Sequence, residues 1–285
     1  MGEKRPVLTF LLLAFAISWG IFGFGYASGL FKRPQGFGLV AFAFMFGPAL
    51  SALICGRIWH RGEMVRVLGL GPKFNRWMLA AWLVPMVLAA LSVLFSLMAP
   101  GEHLVPLGEA VRTAAAEAGV PIKKAIPYLG VIVLVSALFI GAAINGVLLI
   151  TEELGWRGFL WHHLEPYGFW RACLITGVVW GLWHAPLIVM GLNYPGMPVV
   201  GIALMVVFTT LITPIISYIR MKNGSVWAAS LFHGTINALG GLTVLVLSPH
   251  NFPWNGIVGA GGFAALALGV AGVYWALRRD RAVQA

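Results

Sequence analysis

Six polar residues in an otherwise apolar chain have the types and spacing to do chemistry. The stretch Thr151–Trp161 reads TEELGWRGFLW and places Glu152, Glu153 and Arg157 directly after the apolar run Ile126–Ile150. His184 follows at the end of WGLWH, and the segment HGTIN carries His233 and Asn237. An ionised group at membrane depth costs roughly 2.5–3.5 kcal/mol even on the lenient insertion scale, so charges that persist there are read as functional. At helical spacing Glu153 and Arg157 are i,i+4 and pair on one face, which leaves Glu152 about 100° round the helix. His233 and Asn237 are also i,i+4 and can address one ligand together. Gathering these groups round one wet cavity costs less than burying each alone.

The plain reaction open to such a cavity is the activation of water. A carboxylate in an apolar pocket can accept a proton and return it, which gives Glu152 the part of general base. His184 orients or polarises the water. His233 and Asn237 offer donors of the kind that stabilise the oxyanion of amide hydrolysis. Arg157, paired with Glu153, fixes the helix end and keeps Glu152 in place. Other hydrolytic signatures are absent: the chain has no G-x-S-x-G and no H-E-x-x-H, and Cys173 has no evident base partner in the sequence.

The elements that must position these residues are membrane helices. Hydrophobic residues make up 60% of the 285 and charged residues 10%, with a mean hydropathy of +0.89. Soluble domains carry about 25% charged residues. The expected fold class is therefore all-α, a polytopic membrane helix bundle. A span needs about 20 apolar residues, and eight runs reach that length: 7–30, 36–59, 77–99, 126–151, 171–192, 198–219, 225–247 and 256–277. The first is read as a retained helix, because it outruns a signal-peptide core and no A-x-A site follows. Short connections make 1–285 a single integral-membrane domain with its catalytic core at about 126–247.

The net charge of +10 sits in short clusters between apolar runs. That pattern fits topology signals and contacts with the lipid bilayer, and it argues against nucleic acid as a partner. With a cytoplasmic N-terminus and eight alternating spans, Lys32, Arg33, Arg112, Lys123 and Lys124 fall outside. The other fourteen of the 19 lysines and arginines fall inside, and both termini are expected to be cytoplasmic. The external segment 100–124 reads as a short surface helix without chemistry. Arg157–Arg171 reads as a cytoplasmic turn, with Trp156, Trp161, Tyr167 and Trp170 at the membrane–water boundary. His162 and His163 are adjacent and diverge by about 100°, so they are interfacial rather than ligating. The helix glycines and prolines serve packing and kinks, with Pro186 placed to bend the chain just after His184. Cys55 and Cys173 lie in apolar runs without CxxC spacing, so neither a disulfide nor a thiolate metal site is expected.

EELGWR resembles the EExxxR motif of the CAAX protease and bacteriocin-processing enzyme (CPBP) family, the type II CAAX prenyl endopeptidases and their relatives. His184 takes the histidine of that family's FxxxH motif, with Trp180 where phenylalanine is usual, and HGTIN fits its HxxxN/D motif. The likeness spans about Ile126–Gly240. It implies an eight-helix intramembrane endopeptidase acting on a protein or peptide substrate at the membrane, in the setting of a prokaryotic plasma membrane. Glu152 and His184 would activate water, His233 and Asn237 would hold the oxyanion, and Glu153 and Arg157 would support them. No cofactor is favoured, although Glu152, His184 and His233 would form a sensible zinc set. Asn237 beside His233, and no carboxylate on that helix to orient a zinc-bound histidine, tilt the reading away from metal. Two alternatives stay open. One is a non-catalytic scaffold or bacteriocin-immunity protein that keeps the motif for structure. The other is a transporter, disfavoured because the first three helices hold no second copy of the motifs.

Overall fold

The computed structural model describes residues 4–120, 122, 126–251 and 253–284. Lys123 and Lys124, expected outside, lie outside the described residues. Among the described residues seven helices are long and apolar enough to cross a membrane: Arg5–Ala27, Gly36–Trp59, Arg76–Ser96, Leu129–Tyr167, Pro198–Asn223, Val226–Leu245 and Ala260–Asp280. Phe169–Trp183 is a shorter apolar helix. The chain is a multi-pass, all-helical integral membrane protein. Among the described residues the strand pairing is a two-residue antiparallel one of His103–Leu104 with Leu247–Ser248.

Three of the expected spans need correction. The fourth does not end at the charged motif but runs to Tyr167, 39 residues from Leu129. It continues because the charges find partners inside the protein, so the chain has no need to leave the apolar region to solvate them. The expected turn Arg157–Arg171 shrinks to Gly168, whose φ of 98° makes the reversal before the helix Phe169–Trp183 begins. The fifth span stops at Trp183; His184 follows, and a second short helix covers Ala185–Val189. The last helix starts at Ala260, after a turn in which Gly256 has φ 74°.

The chain divides into two compact units, Met1–Met78 with Leu148–Ser230, and Leu79–Val147 with Leu231–Ala285. In the first, helix breaks are repaired by side chains. Pro48 has no N–H to give the carbonyl of Phe44, four residues back. That carbonyl instead accepts from Ser18 Oγ at 2.8 Å, and the helix is interrupted at Met45. Phe169–Trp183 lies close against Pro198–Asn223 through Gly177 and Gly181, which frame Trp180. A Cβ on Gly177 would stand 2.6 Å from Thr210 Cα, and one on Gly181 2.6 Å from Val206 Cα. Small residues four apart let membrane helices approach this closely, and Thr209 Oγ1 then reaches the Gly177 carbonyl at 2.8 Å.

The second unit uses the same device. Gly234 follows His233 in the helix Val226–Leu245, and a Cβ there would meet the Gly146 nitrogen at 2.2 Å. Any side chain would force that seam apart. Further along, Ala137–Gly141 is a π-helical segment, and Trp82 Nε1 donates to the Leu138 carbonyl at 2.8 Å. The expected surface helix is present as Leu107–Glu117. Cys55 and Cys173 are buried and free, as their spacing implied.

Candidate active site

The charged motif sits where the fourth helix changes type. Ile150–Glu153 is α-helical and Leu154–Leu160 is π-helical. Wider turns of this kind occur chiefly as local insertions, often at functional sites. Glu152 is 4% exposed, Glu153 and Arg157 are 0%. The expected pair forms: Arg157 Nη1 donates to Glu153 Oε1 at 3.0 Å.

A buried guanidinium gains from each further donor that is met; Nε of Arg157 has no hydrogen-bond partner, but Nη2 does. Arg157 Nη2 donates to Thr213 Oγ1 at 3.1 Å, and the Thr213 hydroxyl passes its own hydrogen to the Thr209 carbonyl at 2.6 Å. The face of the guanidinium lies over the Trp180 ring, Cζ 4.2 Å from the centroid, an attraction that strengthens when both groups are desolvated.

Trp180 is the residue that sequence reasoning undervalued. It stands where phenylalanine is usual in the resembling motif. Its indole N–H donates to Glu152 Oε2 at 2.9 Å, a bond that phenylalanine could not make. Its backbone carbonyl accepts from His184 Nδ1 at 2.8 Å. One residue therefore holds both groups that the sequence assigned to water activation.

The helix break explains the second of those bonds. At the end of Phe169–Trp183 the His184 amide turns to the Gly181 carbonyl at 3.2 Å, three residues back. The Trp180 carbonyl is then open to the imidazole. Because a carbonyl only accepts, Nδ1 carries the hydrogen, and neutral His184 keeps its lone pair on Nε2. Pro186 sits in the first turn of the short helix that follows, and Trp19 Nε1 takes the Trp183 carbonyl at 3.1 Å. Trp183 packs edge-on against the His184 ring, centroids 4.8 Å apart, and Phe44 lies 4.5 Å from Trp183.

His233 and Asn237 belong to the second unit, on the helix Val226–Leu245. His233 is buried and Asn237 exposed. Two tryptophans expected at the membrane boundary are instead fully buried: Trp156 and Trp161 are both 0% exposed, while Tyr167 (46%) and Trp170 (37%) do reach the surface. Trp156 is drawn inward by aromatic neighbours, Phe10 and Trp183, each 5.7 Å away by ring centroid. His163 is half-buried and tied down, Nδ1 to the Phe159 carbonyl at 2.9 Å and Nε2 to His60 Nε2 at 3.1 Å.

His184 taken singly meets the requirement for a zinc ligand, since its outer nitrogen already donates to a carbonyl. Among the described residues no three His, Cys, Asp or Glu side chains are grouped so as to hold a metal ion.

Comparison with known proteins bears on this site. Residues 129–239 match the family model described as Type II CAAX prenyl endopeptidase Rce1-like. A 44-residue stretch is 43% identical to CAAX prenyl protease 2 of Methanococcus maripaludis, covering 15% of this chain and 16% of that protein. The family-model match and this relative, together with the three motifs, support the CPBP family of CAAX proteases for this chain.

Proposed function

We propose that this protein is an intramembrane endopeptidase that hydrolyses peptide bonds of membrane-associated proteins or peptides, with water activated by Glu152 and His184. The observation that carries this reading is the double role of Trp180, whose side chain anchors Glu152 and whose carbonyl anchors His184. A base and its partner held by rigid neighbours lose little freedom on reaching the transition state.

Glu152 takes a proton as the water oxygen attacks the scissile carbonyl, and later passes it to the leaving amine. The Nε2 lone pair of His184 accepts a hydrogen bond from the same water and fixes its direction. His233 and Asn237 donate to the oxyanion that forms. The buried Glu153–Arg157 pair holds the π-helical segment rigid but stays out of the proton transfer. Glu152, His184 and His233 are not grouped so as to hold a metal ion, and metal independence is the form proposed here.

The test is a cleavage assay on the intact protein in detergent, with Glu152→Gln as its partner. The variant is expected to lose turnover at an unchanged melting temperature. Wild-type turnover in Glu152→Gln would remove Glu152 from the role of base. Dialysis against chelator, with elemental analysis of the same sample, decides the metal. Activity that vanishes with one equivalent of zinc and returns with it would make this a metalloprotease.

A further inference from the structure

Residues 60–75 connect one candidate span, ending at Trp59, to the next, beginning at Arg76. This connection is fastened to the turn 223–227. The Gly69 carbonyl accepts from Val226 N at 2.9 Å and Ser225 Oγ at 3.1 Å, and the Leu70 carbonyl accepts from Trp227 Nε1 at 3.0 Å. Asn223 Nδ2 donates to the Lys73 carbonyl at 3.0 Å and to Asn75 Oδ1 at 2.9 Å. Loops are ordinarily mobile; this one is held on both sides of a cleft of about 470 Å³.

The cleft is cationic. Arg66 and Lys73 line it, together with Glu63, whose carboxylate is taken up by Arg66. Lys73 Nζ lies 2.7 Å from where a Cβ of Gly224 would stand, so the bare, left-handed Gly224 (φ 81°) makes room for the ammonium. Arg220 Nη2 lies 3.0 Å from the corresponding point on Gly69, and its Nε is buried with no hydrogen-bond partner. Among the described residues no carboxylate comes within ion-pair distance of Lys73 or Arg220, although the Glu165 charge acts on Arg220 from farther off. A buried donor left unmet is expensive, and planar guanidinium forks suit phosphate oxygens. Beside these cations Phe74 is 89% exposed and Val65 63%. An exposed aromatic next to a basic cleft, at the mouth of two spans, is the arrangement that inserts into acyl chains while the cations take the headgroup.

We propose that this cleft binds the headgroup phosphate of an anionic phospholipid, with Lys73, Arg66 and Arg220 as its cations and Phe74 in the acyl region. This goes beyond the hydrolytic reading and does not depend on it. A zwitterionic headgroup brings a second cation, and the carboxylate that lines the cleft, Glu63, is already taken up by Arg66, so discrimination by charge is expected. The test is native mass spectrometry of the full chain in a neutral detergent, titrated separately with dioctanoyl phosphatidylglycerol, dioctanoyl phosphatidylcholine and inorganic phosphate. Lys73→Gln with Arg66→Gln removes two cations from the cleft; Lys32→Gln with Arg33→Gln removes two elsewhere. All four side chains are at the surface, so both variants should fold. The expected result is one phosphatidylglycerol bound to wild type and to the Lys32/Arg33 variant, at least about tenfold weaker in the Lys73/Arg66 variant. Phosphatidylcholine should bind weakly and phosphate should not displace the lipid. Equal loss in both variants, no loss in either, or displacement by millimolar phosphate without lipid discrimination would each overturn the proposal.

Discussion

Two glutamate–arginine pairs with nearly the same spacing lie in this chain, and they occupy opposite regimes. Glu63 and Arg66, i,i+3, pair at the surface with side chains 57% and 71% exposed, whereas Glu153 and Arg157, i,i+4, are both at 0%. The surface pair has water as an alternative partner for each group, and such pairs contribute little. The Arg66 guanidinium does hold the Glu63 carboxyl below the usual carboxylate range, through their hydrogen bond and their opposite charges. The buried pair has no alternative partner in water. Its worth lies less in the attraction itself than in what would be left behind if one member were removed. Spacing alone therefore says that two residues can meet, and burial says what the meeting is worth.

The sharpest way to break the comparison is Arg157→Ala. It strands Glu153 in an apolar interior, and a loss of about 3–5 kcal/mol is expected, visible as a large drop in melting temperature in detergent. An unshifted midpoint would mean that the buried pair is no more structural than the exposed one. The double change Glu153→Gln with Arg157→Met should lose less than Arg157→Ala alone, because no bare charge remains.

Trp180→Phe comes next, since it separates what anchors Glu152 from what packs on Arg157. The ring over the guanidinium is kept and only the N–H is lost. Hydrogen bonds to charged groups contribute about 1.5–3 kcal/mol, so kcat should fall by about ten- to a hundredfold with KM and melting temperature near wild type. A fall in melting temperature with kcat preserved would reduce Trp180 to packing. Thr213→Val removes the second acceptor of Arg157, and about 1–3 kcal/mol of stability should go with it. Calorimetry of the two proteins side by side measures that difference.

The smallest effect belongs to Glu63→Gln. Because its carboxyl is held low in the folded state, whatever Glu63 contributes is present above its unfolded pKa and is lost as pH falls through the folded value. The group lies at the surface, so wild type and variant should melt together at neutral pH and at high salt alike. A clear gap between their melting curves at pH 7 would contradict the distinction drawn between the two pairs.

Much of this architecture was legible in the residues. Apolar runs located the spans, because transfer into lipid depends on composition over about 20 residues and hardly on neighbours. The Glu153–Arg157 contact followed from helix geometry, and the break at His184 from Pro186 and its missing N–H. Other features depended on partners far away in the chain. Trp156 and Trp161 have the amphipathic makeup of boundary residues, yet aromatic neighbours such as Phe10 and Trp183 in the case of Trp156 draw them fully inside.

By itself, then, the sequence determined a multi-pass helical membrane protein, the six polar residues that stand out in it and the pairing of Glu153 with Arg157. Each of these depends on local spacing or on summed hydropathy, and both can be read without knowing what lies opposite. Only the tertiary structure decided that the fourth helix carries its charges on to Tyr167, that Thr213 accepts from a second donor of Arg157, and that Trp180 reaches Glu152 and His184 together. Hydrogen bonds made across 28 or 56 residues require donor and acceptor to arrive at about 3 Å with the right direction. That condition is set by how closely glycine-lined helices pack, and no local pattern in the chain encodes it.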